Sequence, residues 1–233
     1  MTQANVVASS AVNSAANVTL DKLQTTVRNW IRQPILPVVV VENADAGLRI
    51  AGALLEGGLN QIEVTLRTPG SLDAIEAIAR IYPDMQLSVG TVRSEEDFRR
   101  AKDAGASLFI SPGFTATLAQ AATDINVSWV PGVATASEVM MAYEAGFRTL
   151  KFFPAMAAGG PKALAGLSSA LGNDLAFIPT GGVTVNTLSD WKSISSVIAV
   201  GGTWLTVGFN ESPQASQVLT TRVREALLAW EAA

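Results

Sequence analysis

The 233-residue sequence contains no cysteine and no histidine. Their absence excludes disulfides, zinc sites built on Cys and His, Ser-His-Asp triads and thiol nucleophiles together. Charge is also scarce: 15% of residues are charged, the net charge is −4, and no lysine or arginine cluster stands out. A nucleic-acid footprint and an anionic-membrane surface are therefore not expected. The longest strongly apolar run, ILPVVVV at 35–41, falls well short of the roughly 20 residues a spanning helix needs. The first twenty residues carry no charge, and so lack the arginines or lysines of a targeting leader; residues 1–19 are expected to be a flexible N-terminal extension of a protein that works in the cytoplasm. What chemistry remains belongs to lysine, carboxylates, hydroxyls and backbone amides.

What is present is alternation. After a leading helix at about 20–33, short β-rich apolar runs alternate with helical stretches eight times. The strands are expected at 35–41, 61–66, 85–92, 108–112, 127–132, 149–154, 176–180 and 197–201. The intervening helices carry their own signals. In TPGSLDAIEAIARIYP, Leu72, Ile75, Ile78 and Ala79 share a face after a Pro-Gly turn. RSEEDFRRAKDAGA opens on Ser94 as N-cap, places acids in its first turn and stops at Gly105, and TASEVMMAYEAG repeats the design from Thr135 or Ser137 to Gly146. A last helix at about 212–231 buries Leu219, Val223, Leu227 and Trp230. Strands apolar on both faces point to a closed parallel sheet, so the expected fold is α/β: a (β/α)8 TIM barrel with an extra N-terminal helix, one domain over 20–233. No GxGxxG follows the first strand, which disfavours a dinucleotide-binding sheet.

In such barrels the active site lies at the C-terminal ends of the strands. The second strand, IEVTLR, places Glu63, Thr65 and Arg67 on one face by alternation, and TLKFFPA sets Lys151 among Leu150, Phe152 and Phe153. Two readings stand. Glu63 and Lys151 form a buried ion pair that only satisfies itself, or Lys151, pressed toward its neutral amine by an apolar setting, forms a Schiff base with a carbonyl substrate while Glu63 moves protons. Arg67 is either a surface arginine or a bidentate carboxylate ligand, and Thr91 offers a hydroxyl to the same carboxylate. The glycine pairs Gly181-Gly182 and Gly201-Gly202 follow the last two strands, the customary place in a barrel for a phosphate held by backbone N–H groups. A phosphate-binding sugar isomerase or epimerase would use the same glycines without a covalent lysine.

The motifs GGLNQIEVTLRTP, VGTV, FISPGF, PGVATASEVM, LKFFPA, PTGGV and VGGTWL, in this order, resemble those of the bacterial 2-keto-3-deoxy-6-phosphogluconate aldolases, which often also act as 4-hydroxy-2-oxoglutarate aldolases. The resemblance covers roughly residues 25–207. It implies a class I aldolase, cofactor-free and metal-free, cleaving the phosphorylated keto sugar acid to pyruvate and glyceraldehyde 3-phosphate. Lys151 would carry the Schiff base and Glu63 would be the general acid/base, working through a water. Arg67 and Thr91 would bind the pyruvyl carboxylate, with Pro112 and Phe153 lining the pocket and Thr180 governing the configuration accepted at C4. Gly181, Gly182, Gly201, Gly202 and Thr203 would hold the phosphate, and a homotrimer is implied. Ser88-Val89 stands where the family usually has Gly-Ala, so the larger Val89 is expected to press on the carboxylate end of the pocket.

Overall fold

The computed structural model describes residues 26–209 and 212–233. The predicted extension at 1–19 and the start of the leading helix lie outside the described residues. The described part of that helix, α1, covers 26–30. There follow β1 (Ile35–Val39), α2 (Ala44–Gly57), β2 (Gln61–Thr65), α3 (Ser71–Ile81), β3 (Gln86–Gly90), α4 (Glu95–Asp103), β4 (Leu108–Ile110) and α5 (Ala116–Ile125). The chain continues through β5 (Trp129–Val130), β6 (Gly132–Val133), α6 (Ala136–Glu144), β7 (Thr149–Phe152), α7 (Gly160–Leu171), β8 (Ala176–Pro179), α8 (Leu188–Lys192), β9 (Val200–Gly202) and α9 (Pro213–Ala232). No described helix is long and apolar enough to cross a membrane.

All eight predicted strands are present, the fifth divided into β5 and β6 by Pro131, whose ring nitrogen cannot donate to a ladder. Strand pairing is parallel throughout. One sheet runs β5-β4-β3-β2-β1-β9 and a second β6-β7-β8, with isolated bridges from Phe177 to Val197 and from Thr180 to Gly201. The helix caps follow the sequence signals: Ser94 and Thr135 each accept a hydrogen bond from the third helical N–H, completed as capping boxes by Asp97 and Glu138. Gly105 and Gly146 take the positive φ that ends these helices. In α9, Leu219 and Val223 are buried, whereas Leu227 and Trp230 are half-buried.

Alternation sorts the strand residues into two cores. Val39, Ile62, Val64, Leu87, Val89, Phe109, Trp129, Leu150, Phe152, Phe177 and Val200 pack with the helices in the larger cluster. Leu36, Leu108, Ile110, Val130, Ile178 and Ala199 form a second cluster with Val27 and Trp30 of α1. The leading helix therefore covers the inner strand faces at their N-terminal end, and the Trp30 indole N–H donates to Ser107 Oγ at 2.8 Å, so its one polar atom is satisfied. The opposite, C-terminal end of the same inner face is left for polar groups.

Candidate active site

Lys151 occupies that inner face. Its register partners are Gly132 on β6 and Ile178 on β8. Glu63 sits on β2 between Val38 of β1 and Ser88 of β3. Although 88 positions apart in sequence, the two meet: Lys151 Nζ donates to Glu63 Oε1 at 2.9 Å, with the side chains 8% and 1% exposed. The second carboxylate oxygen, Glu63 Oε2, is buried and has no hydrogen-bond partner among the described residues. Leaving a buried acceptor unpaired costs about 1–3 kcal/mol, and such a group calls for a water, a ligand or a chemical role.

Gly90 creates the space for the carboxylate of this pair. A Cβ on Gly90 would stand 2.1 Å from Glu63 Oε1 and 2.8 Å from its carboxyl carbon, so any side chain at that register displaces the carboxylate. On the lysine side, a Cβ on Gly132 would lie 2.3 Å from the Pro112 carbonyl, which shows how closely the turn after β4 passes over β6. The Phe153 ring, half-buried at the end of β7, has its centroid 5.3 Å from Lys151 Nζ. Leu150 and Phe152 do not surround the amine, as their neighbouring positions had suggested. They point to the helix-facing core, because side chains alternate along a strand.

The remaining predicted residues lie at the same C-terminal ends. Thr180 is buried, its hydroxyl 3.3 Å from the Ile178 carbonyl, and a Cβ on Gly201 would meet Thr180 Oγ1 at 2.4 Å. Gly181 and Gly182 adopt φ of 100° and 77°, open to glycine at little cost, and their loop is joined to the turn after β7 by Ala155 N to Thr180 O (2.8 Å) and Met156 N to Gly181 O (3.0 Å). Gly202 lies under the Trp204 ring, 2.3 Å from where its Cβ would be, while Thr203 is exposed. Thr91 is half-buried with φ 66°, a left-handed conformation that is unusual for a β-branched residue. Pro112 is exposed.

Two further expectations need correcting. Arg67 is not the third member of the Glu63 face: β2 ends at Thr65, and Arg67 sits in the following turn, exposed and without a hydrogen bond from its guanidinium among the described residues. Thr65 spends its hydroxyl on the Val39 carbonyl at 2.9 Å. Val89 belongs to the helix-facing core and cannot press on the pocket; it is Ser88 that faces inward, donating to Ile62 O at 2.8 Å. The room-making roles of Gly90 and Gly132 were missed, because the signal is spatial: each glycine matters through a residue on a neighbouring strand or turn.

A family model described as KDPG and KHG aldolase matches residues 27–218. The chain belongs to this aldolase family. Among its curated relatives, the 2-dehydro-3-deoxy-phosphogluconate aldolase of Pseudomonas aeruginosa is 43% identical over 171 residues, which are 73% of this chain and 77% of that protein. The KHG/KDPG aldolase of Escherichia coli is 40% identical over 172 residues, 74% and 80% of the two chains. Two solved structures of similar shape carry ligands. The 2-keto-3-deoxy-6-phosphogluconate aldolase of Zymomonas mobilis with 3-phosphoglycerate superposes with a TM-score of 0.81 at 34% identity, covering 88% of this chain and 96% of the other. The KDPG aldolase of Legionella pneumophila with pyruvate captured at low pH as a covalent carbinolamine has a TM-score of 0.78 at 32% identity, with coverage of 85% and 96%.

Proposed function

We propose that this protein is a class I aldolase that cleaves 2-keto-3-deoxy-6-phosphogluconate to pyruvate and glyceraldehyde 3-phosphate, and 4-hydroxy-2-oxoglutarate to pyruvate and glyoxylate. The observation that carries the reading is the buried Lys151–Glu63 pair with one carboxylate oxygen unspent. Glu63 is placed to take a proton from the Lys151 ammonium, leaving an amine that attacks the keto carbon. Loss of water from the carbinolamine gives the iminium. Glu63, acting through a water, then removes the proton of the C4 hydroxyl; the C3–C4 electron pair flows into the iminium, the aldehyde leaves, and an enamine remains. Protonation at C3 and hydrolysis return pyruvate and the free lysine.

Around this centre, Arg67 and Thr91 bind the pyruvyl carboxylate, Pro112 and Phe153 wall the pyruvyl pocket, and Thr180 faces the C4 hydroxyl. The backbone N–H groups of Gly181, Gly182, Gly201 and Gly202, with Thr203, hold the phosphate. The two sheets make one ring in our reading, a single-domain (β/α)8 barrel over the described residues; Pro131 alone separates β5 from β6, and the Thr180–Gly201 bridge links β8 to β9. Exposed Met140, Met141 and Tyr143 along α6 support assembly as a homotrimer, working in the cytoplasm.

The test is to incubate the protein with pyruvate, reduce with borohydride and map the adduct by mass spectrometry. Labelling of Lys151 is expected, with Lys151→Ala abolishing both label and turnover and Glu63→Gln lowering turnover by about 10²–10⁴-fold. An unlabelled Lys151 would point to an isomerase or epimerase and end the aldolase reading.

A further inference from the structure

The turn that carries Arg67 is tied down by a compact set of hydrogen bonds to which the chemistry so far assigns no purpose. Ser71, only 1% exposed at the start of α3, donates its hydroxyl to the Thr65 carbonyl at 2.8 Å and accepts from the Thr68 amide at 3.3 Å. The Thr68 hydroxyl reaches the Val41 carbonyl, beyond the end of β1, and lies 2.8 Å from Ser71 Oγ. Two hydroxyl hydrogens thus serve three oxygen–oxygen contacts, and one is shared. The backbone adds Arg67 N to Thr65 O at 2.9 Å and Leu66 N to the Gly90 carbonyl at 2.9 Å. Packing is equally close: a Cβ on Gly70 would lie 2.1 Å from the Glu42 carbonyl. The turn at 66–71 is fastened to the ends of β1 and β3 at once, while the guanidinium it carries is exposed and holds no protein partner among the described residues.

We propose that Thr68 and Ser71 are positioning residues that hold Arg67 ready for the carboxylate of the keto acid. The proposal rests on the aldolase reading, in which Arg67 meets that carboxylate. A guanidinium recognises a carboxylate through a planar fork whose two N–H bonds must both be aligned, so a long side chain on a loose turn would lose affinity to ordering. The Thr68–Ser71 clamp fixes the backbone from which the fork extends and leaves the fork itself unspent.

The experiment compares pyruvate with pyruvamide, which keeps the reactive ketone and lacks the carboxylate charge, by the concentration that half-saturates borohydride labelling of Lys151. For Thr68→Val, the pyruvate concentration is expected to rise about tenfold, the factor that corresponds to one lost hydrogen bond, while that for pyruvamide stays within about twofold of the unaltered protein. Ser71→Ala is expected to behave likewise, and Thr68→Ser to restore pyruvate binding. In an Arg67→Ala background, Thr68→Val is expected to add no further loss, the non-additivity of residues that act through one another. Equal weakening toward both compounds, or full additivity with Arg67→Ala, would overturn the positioning role while leaving the aldolase reading intact. Absence of any pyruvate label on the unaltered protein would overturn both.

Discussion

A methyl group at position 90 is the smallest change that tests the Lys151–Glu63 pair without altering either residue. A Cβ there would stand 2.1 Å from Glu63 Oε1, and ordinary contact begins near 3.4 Å, so the carboxylate must retreat by about 1.3 Å. A move of that size is enough to break the 2.9 Å hydrogen bond from Lys151. Misplacement of a catalytic group by about 1 Å costs on the order of 10²-fold in rate, so kcat of Gly90→Ala is expected to fall about 10²-fold with little change in KM. Turnover is read by coupling pyruvate release to lactate dehydrogenase. Gly90 does not have a positive φ, so alanine brings no backbone strain of its own, and a thermal melt within a few degrees of the unaltered protein would exclude unfolding as the cause. Borohydride labelling by pyruvate should survive, slower, because the amine remains. A Gly90→Ala protein with unchanged kcat would refute the assignment of Glu63 as the proton carrier held by this spacing.

Two further outcomes are expected. A methyl at Gly201 would fall 2.4 Å from Thr180 Oγ1, so Gly201→Ala should lower the kcat/KM preference between the gluconate and galactonate epimers by about tenfold, within what a single displaced contact achieves; an unchanged ratio in side-by-side assays would separate Thr180 from C4 recognition. Trp30→Ala removes the largest side chain of the N-terminal cover, 8% exposed and bonded to Ser107, and should cost about 3–5 kcal/mol in denaturant unfolding, whereas a loss below about 1 kcal/mol would mean that α1 covers the inner core without stabilising it.

The strands were legible because each is a short apolar run between turn signals, and the caps because Ser94 and Thr135 have few other uses at those positions. Legibility stopped where a property depended on another strand. Alternation correctly set Glu63 apart from Val64, yet extending it to Arg67 assumed two more residues of strand than β2 has, and the chain turns at Leu66. The same rule, applied to TLKFFPA, would have turned Leu150 and Phe152 away from Lys151. Pro131 lies in a run that reads as one strand, and only the missing N–H explains the break. The φ of Thr91 runs against its own preference, so tertiary contacts must impose it, and no local signal announces them.

The two ends of the inner strand surface differ in a way that bears on why the ion pair is there. At the N-terminal end, Leu36, Leu108, Ile110, Val130, Ile178 and Trp30 make a dry cluster, which is how a chain selected for stability alone would fill the whole interior. At the C-terminal end the chain instead buries a cation and an anion. Their desolvation costs several kcal/mol per ion and is commonly no better than neutral after pairing. It also leaves Glu63 Oε2 without a partner among the described residues and holds Thr91 in a conformation that costs on the order of 1–3 kcal/mol. An apolar pair in place of Lys151 and Glu63 would remove most of this, so an ion pair that only satisfied itself would have little reason to persist with an oxygen unspent. The unspent Oε2, the glycine that makes room for its bonded neighbour Oε1 and the strained Thr91 gather at one end of the strands, and that concentration of unfavourable terms argues against a salt bridge kept for stability alone.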